Sequence, residues 1–183
     1  MVAYFNAACP ILSKEANMEQ LKEMFLVAIQ GEVEGRELYK AASERTTDRK
    51  AKKVFLNLSN EEDSHIKALQ KIAEQMMKGE SITVPKIEAI EKFDDAVSPI
   101  FTPEFKEAIK DKHYEVSTLR IGMKLESESA KFYREFADKV ESPQVKEFLH
   151  YLSAWENGHF EHLKKQLGFI EEHYMTQNSM FRF

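Results

Sequence analysis

Two short motifs, each of one glutamate and one histidine, are candidate metal ligands in this 183-residue chain. Glu62 and His65 form the first motif, and Glu156 and His159 form the second one 94 residues later. Residues three apart in a helix lie on the same face, so each motif can offer a carboxylate and an imidazole to one point. Oxygen-rich ligation with one imidazole suits iron or manganese better than a metal that prefers thiolates.

The two motifs belong to an internal repeat of the sequence. Residues 26–73 align with residues 120–167 without a gap, and 10 of the 48 aligned pairs are identical. Besides the two motifs, the identical pairs include Glu32 with Glu126. Each half therefore predicts a helical hairpin with a glutamate on its first helix and a Glu-x-x-His motif on its second. We expect the two hairpins to pack about a pseudo-twofold axis.

Start and stop signals predict four long helices that position these residues. Asn17 begins the first helix, Asp48 caps the second and Gly79 ends it. A third long helix follows, and Ser142 with Pro143 opens the fourth. The connections are short, long and short, which is the pattern of an all-α antiparallel four-helix bundle with one long crossover.

The length of the chain favours one domain with one core. We expect the bundle to span residues 17–170, with a crossover that contains short helices at residues 79–111. Residues 1–16 and 171–183 are predicted to be N-terminal and C-terminal tails.

The phase of the polar residues on their helices indicates that they point inward. The apolar residues of each helix recur at the spacing of a single face. In chain order these apolar stripes are Leu21, Met24, Phe25, Ala28, Leu38, Tyr39 and Ala42; Val54, Phe55, Leu58, Leu69, Ile72 and Met76; Val116, Leu119, Met123, Ala130, Tyr133, Phe136 and Val140; and Val145, Leu149, Leu152, Leu163, Leu167 and Ile170. Glu32, Glu126 and both Glu-x-x-His motifs share the phase of these stripes. Four carboxylates and two imidazoles are therefore expected to meet in the middle of the bundle.

Such a cluster needs cations or protons to be stable inside a protein. Burying an ionised carboxylate without a partner costs several kcal/mol, and four carboxylates also repel one another. No lysine or arginine lies on the stripes near the six residues, whereas two divalent ions would balance four carboxylates beside neutral histidines. This ligand set is that of di-iron carboxylate bundles. A protonated polar core that binds no metal is the alternative.

Several neighbours of the candidate ligands have two interpretations. Tyr39 and Tyr133 each follow a glutamate by two helical turns, so their hydroxyls can hydrogen-bond a carboxylate or simply pack in the core. Trp155 is expected to be an aromatic wedge between helices rather than a residue that tunes the site. His162, one turn past His159, is expected beside the site or at the surface.

Four glycines, Gly31, Gly35, Gly122 and Gly158, lie within four residues of a candidate ligand. Glycine inside a helix costs about 1 kcal/mol relative to alanine. Either space near the metal ions or close helix packing explains their presence.

Composition excludes several other classes of protein. The net charge of -5 gives no basic surface for nucleic acid, and no apolar run is long enough for a membrane helix. The single cysteine, Cys9, cannot form an internal disulfide or a Cys-x-x-Cys site. A cytoplasmic protein that binds neither nucleic acid nor membranes is therefore expected.

The two hairpins resemble the rubrerythrin branch of the ferritin-like superfamily. The segments at residues 28–39 and 122–133, each with a glutamate and a tyrosine, are similar to the first and third helix motifs of that family. The two Glu-x-x-His motifs are similar to its second and fourth. The resemblance implies a ferritin-like bundle with two iron ions, bridged by Glu62 and Glu156, although manganese or a mixed pair stays open. It also implies a homodimer and a reaction in which peroxide or dioxygen is reduced with electrons from outside.

The sequence departs from the family pattern in two respects. Full-length rubrerythrins carry a rubredoxin domain with paired Cys-x-x-Cys motifs, so this chain would need an external electron donor such as a rubredoxin-like protein. They also place a carboxylate one turn after the third-helix ligand, where this chain has Ser129, with Gly35 at the matching position of the other half. A ferroxidase or iron-handling protein, and a non-catalytic bundle with a structural metal, are the alternative functions.

Overall fold

The computed structural model describes residues 14–86 and 113–179, and all regular structure within them is helical. Four helices occupy this part of the chain: α1 (Lys14–Arg45), α2 (Arg49–Lys78), α3 (His113–Ala137) and α4 (Pro143–Ser179). The all-α prediction is therefore confirmed. The predicted short helices of the crossover fall mostly on residues 87–112, outside the described residues.

The predicted signals at both ends of α2 and at the start of α4 are confirmed. The Asp48 carboxylate accepts hydrogen bonds from the backbone N–H groups of Lys50 and Ala51, at 2.8 and 3.0 Å. Gly79 ends α2 in the left-handed conformation, with φ of 66°, which glycine adopts without steric cost. Pro143 is the first residue of α4, where the missing N–H group of proline costs nothing.

Two apolar clusters fill the bundle, one toward each end. The first apolar cluster includes Phe25 of α1 and Phe136 of α3, whose rings meet edge to face at 4.9 Å between centroids. The second apolar cluster includes Phe55 of α2, Leu119 of α3 and Leu163 of α4, all fully buried. Both clusters draw residues from all four helices.

The order of the clusters along each helix gives its direction. Helices α1 and α4 pass from the first apolar cluster to the second, whereas α2 and α3 pass from the second to the first. Consecutive helices within each hairpin are therefore antiparallel, whereas α2 and α3 are parallel. The end of α2 at Lys78 and the start of α3 at His113 therefore lie toward opposite ends of the bundle, which a tight turn cannot join.

Three helices begin or end at other residues than the sequence indicated. Helix α4 continues through Gly168 to Ser179, into the residues expected to form the C-terminal tail. Gly168 has no positive φ, and a helical glycine costs only about 1 kcal/mol, which is too little to end a helix. Helix α1 begins at Lys14 rather than Asn17, since the preceding Lys-Glu-Ala segment consists of good helix formers. Helix α3 ends at Ala137, and Val140 is buried in the following connection instead of on the helix.

None of the helices in the described ranges has a stretch that is apolar and long enough to span a bilayer.

Candidate metal centre

The six predicted ligand residues come together between the two apolar clusters. Each is at most 3% exposed. Their ligand atoms form two overlapping groups, and within each group the atoms lie within 4.8 Å of one another. The groups are Glu32, Glu62, His65 and Glu156, and Glu62, Glu126, Glu156 and His159.

The two groups share Glu62 and Glu156, one from each Glu-x-x-His motif. Glu32 and His65 belong only to the first group, and Glu126 and His159 belong only to the second. The arrangement therefore offers two adjacent positions, each with three carboxylates and one imidazole, and two carboxylates common to both.

The histidines face the carboxylates with the same ring nitrogen. His65 Nδ1 lies 3.1 Å from oxygens of Glu32 and Glu156 and 3.4 Å from Glu62. His159 Nδ1 lies 3.4 to 3.6 Å from oxygens of Glu62, Glu126 and Glu156. Both imidazoles are thus turned so that Nδ1 can be a ligand atom.

Unpartnered oxygens in the cluster fit a bound cation. Glu62 Oε1 and both carboxylate oxygens of Glu156 have no hydrogen bond with the described residues, although histidine nitrogens are near. Buried polar atoms are nearly always hydrogen-bonded, so these oxygens call for another partner. They belong to the two glutamates shared by both groups. Carboxylate oxygens with one imidazole per position are suitable ligands for iron or manganese.

Glu32 and Glu126, the two unshared glutamates, each belong to one ligand group only. Their pKa values show that ionising them is unfavourable when no metal is bound. Burial raises the pKa of Glu32 well above its ordinary value, and the Glu156 and Glu62 carboxylates raise it further. Burial raises the pKa of Glu126 in the same way, with Glu62 and Glu156 adding to the effect. Both carboxyl groups therefore tend to keep their protons when no cation is bound.

The pKa values of the two shared glutamates and of the two histidines are shifted in the direction that favours the charged form of each side chain. Burial and the Glu156 carboxylate raise the pKa of Glu62, but hydrogen bonds within the cluster outweigh them, and the pKa falls to about 2. Burial also raises the pKa of Glu156, but the His65 charge and the nearby Nδ1 atoms of both histidines lower it well below its ordinary value. Burial lowers the pKa of His65 and of His159, yet the facing carboxylates raise it well above 6.5.

Metal binding is expected to release protons from this cluster. The groups whose pKa is raised are the carboxyls of Glu32 and Glu126 and the imidazoles of His65 and His159, and each must be deprotonated to bind a metal ion. Protons and metal ions therefore compete, and metal affinity should fall as pH falls. Calorimetric titration of Mn²⁺ in buffers of different ionisation enthalpy measures the number released. An apparent binding enthalpy that does not depend on the buffer would contradict the expectation.

The two predicted tyrosines bind carboxylates of the opposite hairpin. Tyr39 of α1 donates a hydrogen bond to Glu126 of α3, and Tyr133 of α3 donates one to Glu32 of α1. Burial raises the pKa of both phenols, and the neighbouring carboxylates raise it further, so both stay protonated. These crossed bonds orient the two unshared glutamates, and the packing-only interpretation of the tyrosines does not describe the structure.

Gly122 provides the space that Tyr39 occupies. A Cβ atom at Gly122 would lie 2.9 Å from the Tyr39 hydroxyl oxygen and 3.0 Å from Leu163 Cδ1. Both distances are shorter than ordinary van der Waals contact. By contrast, a Cβ atom at Gly158 would meet nothing within 4 Å. Space beside the site thus explains Gly122 and does not explain Gly158.

The substitution Gly122→Ala is expected to displace Tyr39 from Glu126. Overpacking costs about 1–3 kcal/mol, and the gain in helix propensity of about 1 kcal/mol offsets only part of it. Gly158→Ala is the matched control, because it gains helix propensity without a clash. Urea unfolding of the metal-free proteins should show Gly122→Ala less stable and Gly158→Ala slightly more stable than the parent. Equal gains for both variants would refute the role of Gly122.

Sequence reasoning missed Glu61. This residue is 1% exposed, and its Oε2 lies 2.8 Å from His159 Nε2 and accepts a hydrogen bond of 3.1 Å from Trp155 Nε1. A signal was present, because Glu61 follows Leu58 by three residues and precedes His65 by four, which places it on the buried stripe of α2. It was overlooked because its partner in the repeat is Trp155 rather than another glutamate.

Trp155 lies at the site itself, and the wedge interpretation is incomplete. Its ring stands edge to face with His65, at 5.3 Å between centroids, and with His159, at 6.4 Å. His162 is half-buried nearby, and burial followed by the charge on His159 lowers its pKa to about 4. His162 is therefore uncharged at neutral pH.

Ser129, on α3, contributes no carboxylate to the centre. Its Oγ is 3.7 Å from a Cβ atom placed at Gly31, which is an ordinary van der Waals contact.

Comparison with known proteins agrees with this architecture. The sequence matches the profile of the family described as Rubrerythrin over residues 23–167. A solved structure of a hypothetical protein from Pyrococcus furiosus is similar, with a TM-score of 0.61 and 25% sequence identity. The alignment covers 83% of this chain and 90% of that one. A search among curated proteins finds no significant match.

Proposed function

This chain belongs to the rubrerythrin family, and we propose that it is a di-iron redox protein that reduces peroxide or dioxygen with electrons from an external donor. The observation that carries the proposal is the buried pair of ligand groups joined by Glu62 and Glu156. A mononuclear site would not need two shared carboxylates. A purely structural polar core would not leave three of their oxygens without hydrogen bonds within the described residues.

The residues of the cluster fit two iron ions, with manganese or a mixed pair as the other candidates. Glu32 and His65 would hold one ion, Glu126 and His159 would hold the other, and both shared glutamates would bridge them. Four carboxylates and neutral histidines then balance two divalent ions. When bound, a ferrous pair supplies the two electrons that, together with two protons, convert hydrogen peroxide into two molecules of water.

The side chains around the ligands would orient them and supply protons. The hydroxyl groups of Tyr39 and Tyr133 donate hydrogen bonds to Glu126 and Glu32, and so keep phenolic protons next to the place where an oxidant would react. The two apolar clusters border the polar centre on both sides along the bundle and limit the access of water. A low local dielectric strengthens the hydrogen bonds inside such a site.

These 183 residues contain one cysteine and no Cys-x-x-Cys pair that could hold an iron–sulfur centre. We propose a one-electron carrier such as a rubredoxin-like protein as the donor. A homodimer and a place in the reducing cytoplasm are further parts of the proposal.

The test is a peroxide assay on protein loaded with Fe²⁺ under anaerobic conditions. One peroxide molecule should oxidise two iron ions per chain in a single turnover, measured by stopped-flow absorption. Addition of reduced rubredoxin should then give repeated turnover. Iron that stays ferrous in the presence of excess peroxide and dioxygen would leave only a structural role for the metal.

Iron oxidation for storage or transfer is the second candidate function. Ser129 favours it, because this position lacks the additional carboxylate of rubrerythrins. Such a protein would oxidise added Fe²⁺ with dioxygen and release Fe³⁺ to a chelator. Peroxide turnover with a reduced donor would be slow by comparison. Measuring both rates on the same preparation separates the two functions.

A further inference from the structure

The residue that precedes each shared glutamate differs between the two halves of the repeat. Glu61 precedes Glu62 in α2, and Trp155 precedes Glu156 in α4. The ligand residues and tyrosines are identical across the repeat, so this position is a departure from symmetry close to both histidines. Both side chains contact the centre.

On one side, a carboxylate faces the outer nitrogen of the ligand histidine: Glu61 lies against His159 Nε2. Glu61 Oε2 lies 2.8 Å from His159 Nε2, and Trp155 Nε1 lies 3.1 Å from the same oxygen and 3.0 Å from His159 Nε2. A carboxylate facing Nε2 favours a proton on that nitrogen, so that in the neutral, metal-binding ring the lone pair lies on Nδ1, the atom that faces the other glutamates. Trp155 then donates its N–H to Glu61 as well.

On the other side, His65 has no such carboxylate. Its Nε2 makes no hydrogen bond with the described residues. The indole ring of Trp155 stands edge to face with the imidazole ring instead. Its Nδ1 faces three glutamates as in the other half. The orientation of His65 is therefore set by packing and by the ligand cluster alone.

We propose that Glu61 is a positioning residue that makes the two metal positions unequal, so that the first ion binds at Glu126 and His159. This inference rests on the proposed metal pair. A carboxylate bonded to the far nitrogen of a ligand histidine raises its basicity and holds the required tautomer. Loss of such a partner costs about 10- to 100-fold in metal affinity, and the affinities of the two positions should differ by a factor of that size.

The experiment is a titration of the metal-free, full-length protein with Co²⁺, followed by visible absorption and calorimetry. The parent protein should show two classes of site, separated by about tenfold or more. Glu61→Leu should weaken the tighter class by about 10- to 100-fold and leave the weaker class unchanged. Glu61→Gln keeps an oxygen acceptor for His159 and should lose less than the leucine variant. Crystals grown with one equivalent of Co²⁺ should show anomalous density mainly between Glu126 and His159.

Asp63→Asn is the control, because it removes a negative charge from the same helix at a half-exposed position whose ion-pair partners are Arg36 and Lys67. It should change neither class. Equal affinities in the parent protein, or equal weakening of both classes by Glu61→Leu, would overturn the inference and leave the proposed metal pair standing. Failure of the parent protein to bind Co²⁺ would overturn both.

Discussion

Replacing Glu62 with alanine is expected to abolish the paired metal centre while leaving the helical bundle folded. Glu62 belongs to both ligand groups, so each position falls from four candidate ligand residues to three. Losing a residue that hydrogen-bonds a metal ligand lowers metal affinity by about 10- to 100-fold. The loss in Glu62→Ala should be larger, because the substitution removes a ligand of both ions. Metal analysis after anaerobic loading with Fe²⁺, with optical spectra after oxidation, measures the result.

Glu32→Ala is the informative comparison, since Glu32 belongs to one group only. This variant should lose the ion held by His65 and keep the ion held by His159. Asp63→Ala, next to Glu62 in sequence, should bind as much iron as the parent protein. Two iron ions in Glu62→Ala, with spectra like those of the parent, would show that the assignment of the shared ligands is wrong.

The Glu62→Ala variant should stay folded without metal, with a stability close to that of the metal-free parent protein. The substitution removes a carboxylate that repels Glu156 and raises the pKa of Glu32 and Glu126, but it also removes the hydrogen bonds that lower the pKa of Glu62, so the two effects oppose each other. Circular dichroism and thermal melting of the metal-free proteins test this. A well-folded variant that binds no metal pair would separate the loss of ligation from a loss of structure.

The fold and the six candidate ligands were predictable because three kinds of pattern agree at the same residues. The apolar stripe gives the buried face, the repeat gives the partner in the other hairpin, and the ligand type gives the chemistry. For example, Glu32 lies on the stripe of α1, has Glu126 as its repeat partner and is 2% exposed in the structure. Agreement of this kind does not depend on details of packing.

The residues that make the centre asymmetric could not be found in the same way. Glu61 and Trp155 occupy equivalent positions in the repeat but differ in type, so a search for matching pairs discards both. Their contact also joins α2 to α4 across the bundle. Such a contact depends on how two helices are rotated against each other, which the period of one helix does not determine.

Helix ends show the same limit on a smaller scale. Gly79 follows the apolar stripe of α2 and Gly168 lies near the end of the stripe of α4, yet only Gly79 has positive φ and ends a helix. The sequence near Gly79 continues into residues without helical structure, whereas Ile170 is buried beyond Gly168 and keeps α4 in contact with the second apolar cluster. Tertiary packing, which local propensity does not contain, decides between the two outcomes.

Removal of metal is expected to lower the melting temperature by tens of degrees. An ion present at about 1,000 times its dissociation constant stabilises the folded state by about 4 kcal/mol, and two ions by about 8 kcal/mol if they bind independently. For a domain of this size each kcal/mol shifts the melting temperature by about 2–4 °C, which gives a total shift of about 16–32 °C. Calorimetric melting with excess Mn²⁺ and with a chelator measures the difference.

The pH dependence of this difference distinguishes ligation in the cluster from weak binding at the surface. The raised pKa values of His65 and His159 stabilise the metal-free protein below their ordinary value of 6.5, and this contribution is lost as pH rises through the folded-state values. The raised pKa of Glu32 and of Glu126 likewise makes the metal-free protein less stable as pH rises above 4.5.

Metal affinity increases as pH rises, since fewer protons compete for the ligand atoms. The gap between the metal-loaded and metal-free melting temperatures should therefore widen as pH rises from about 6 to about 8, and it should largely disappear in Glu62→Ala. A gap that is independent of pH, or one that persists in this variant, would place the stabilising ions outside the cluster.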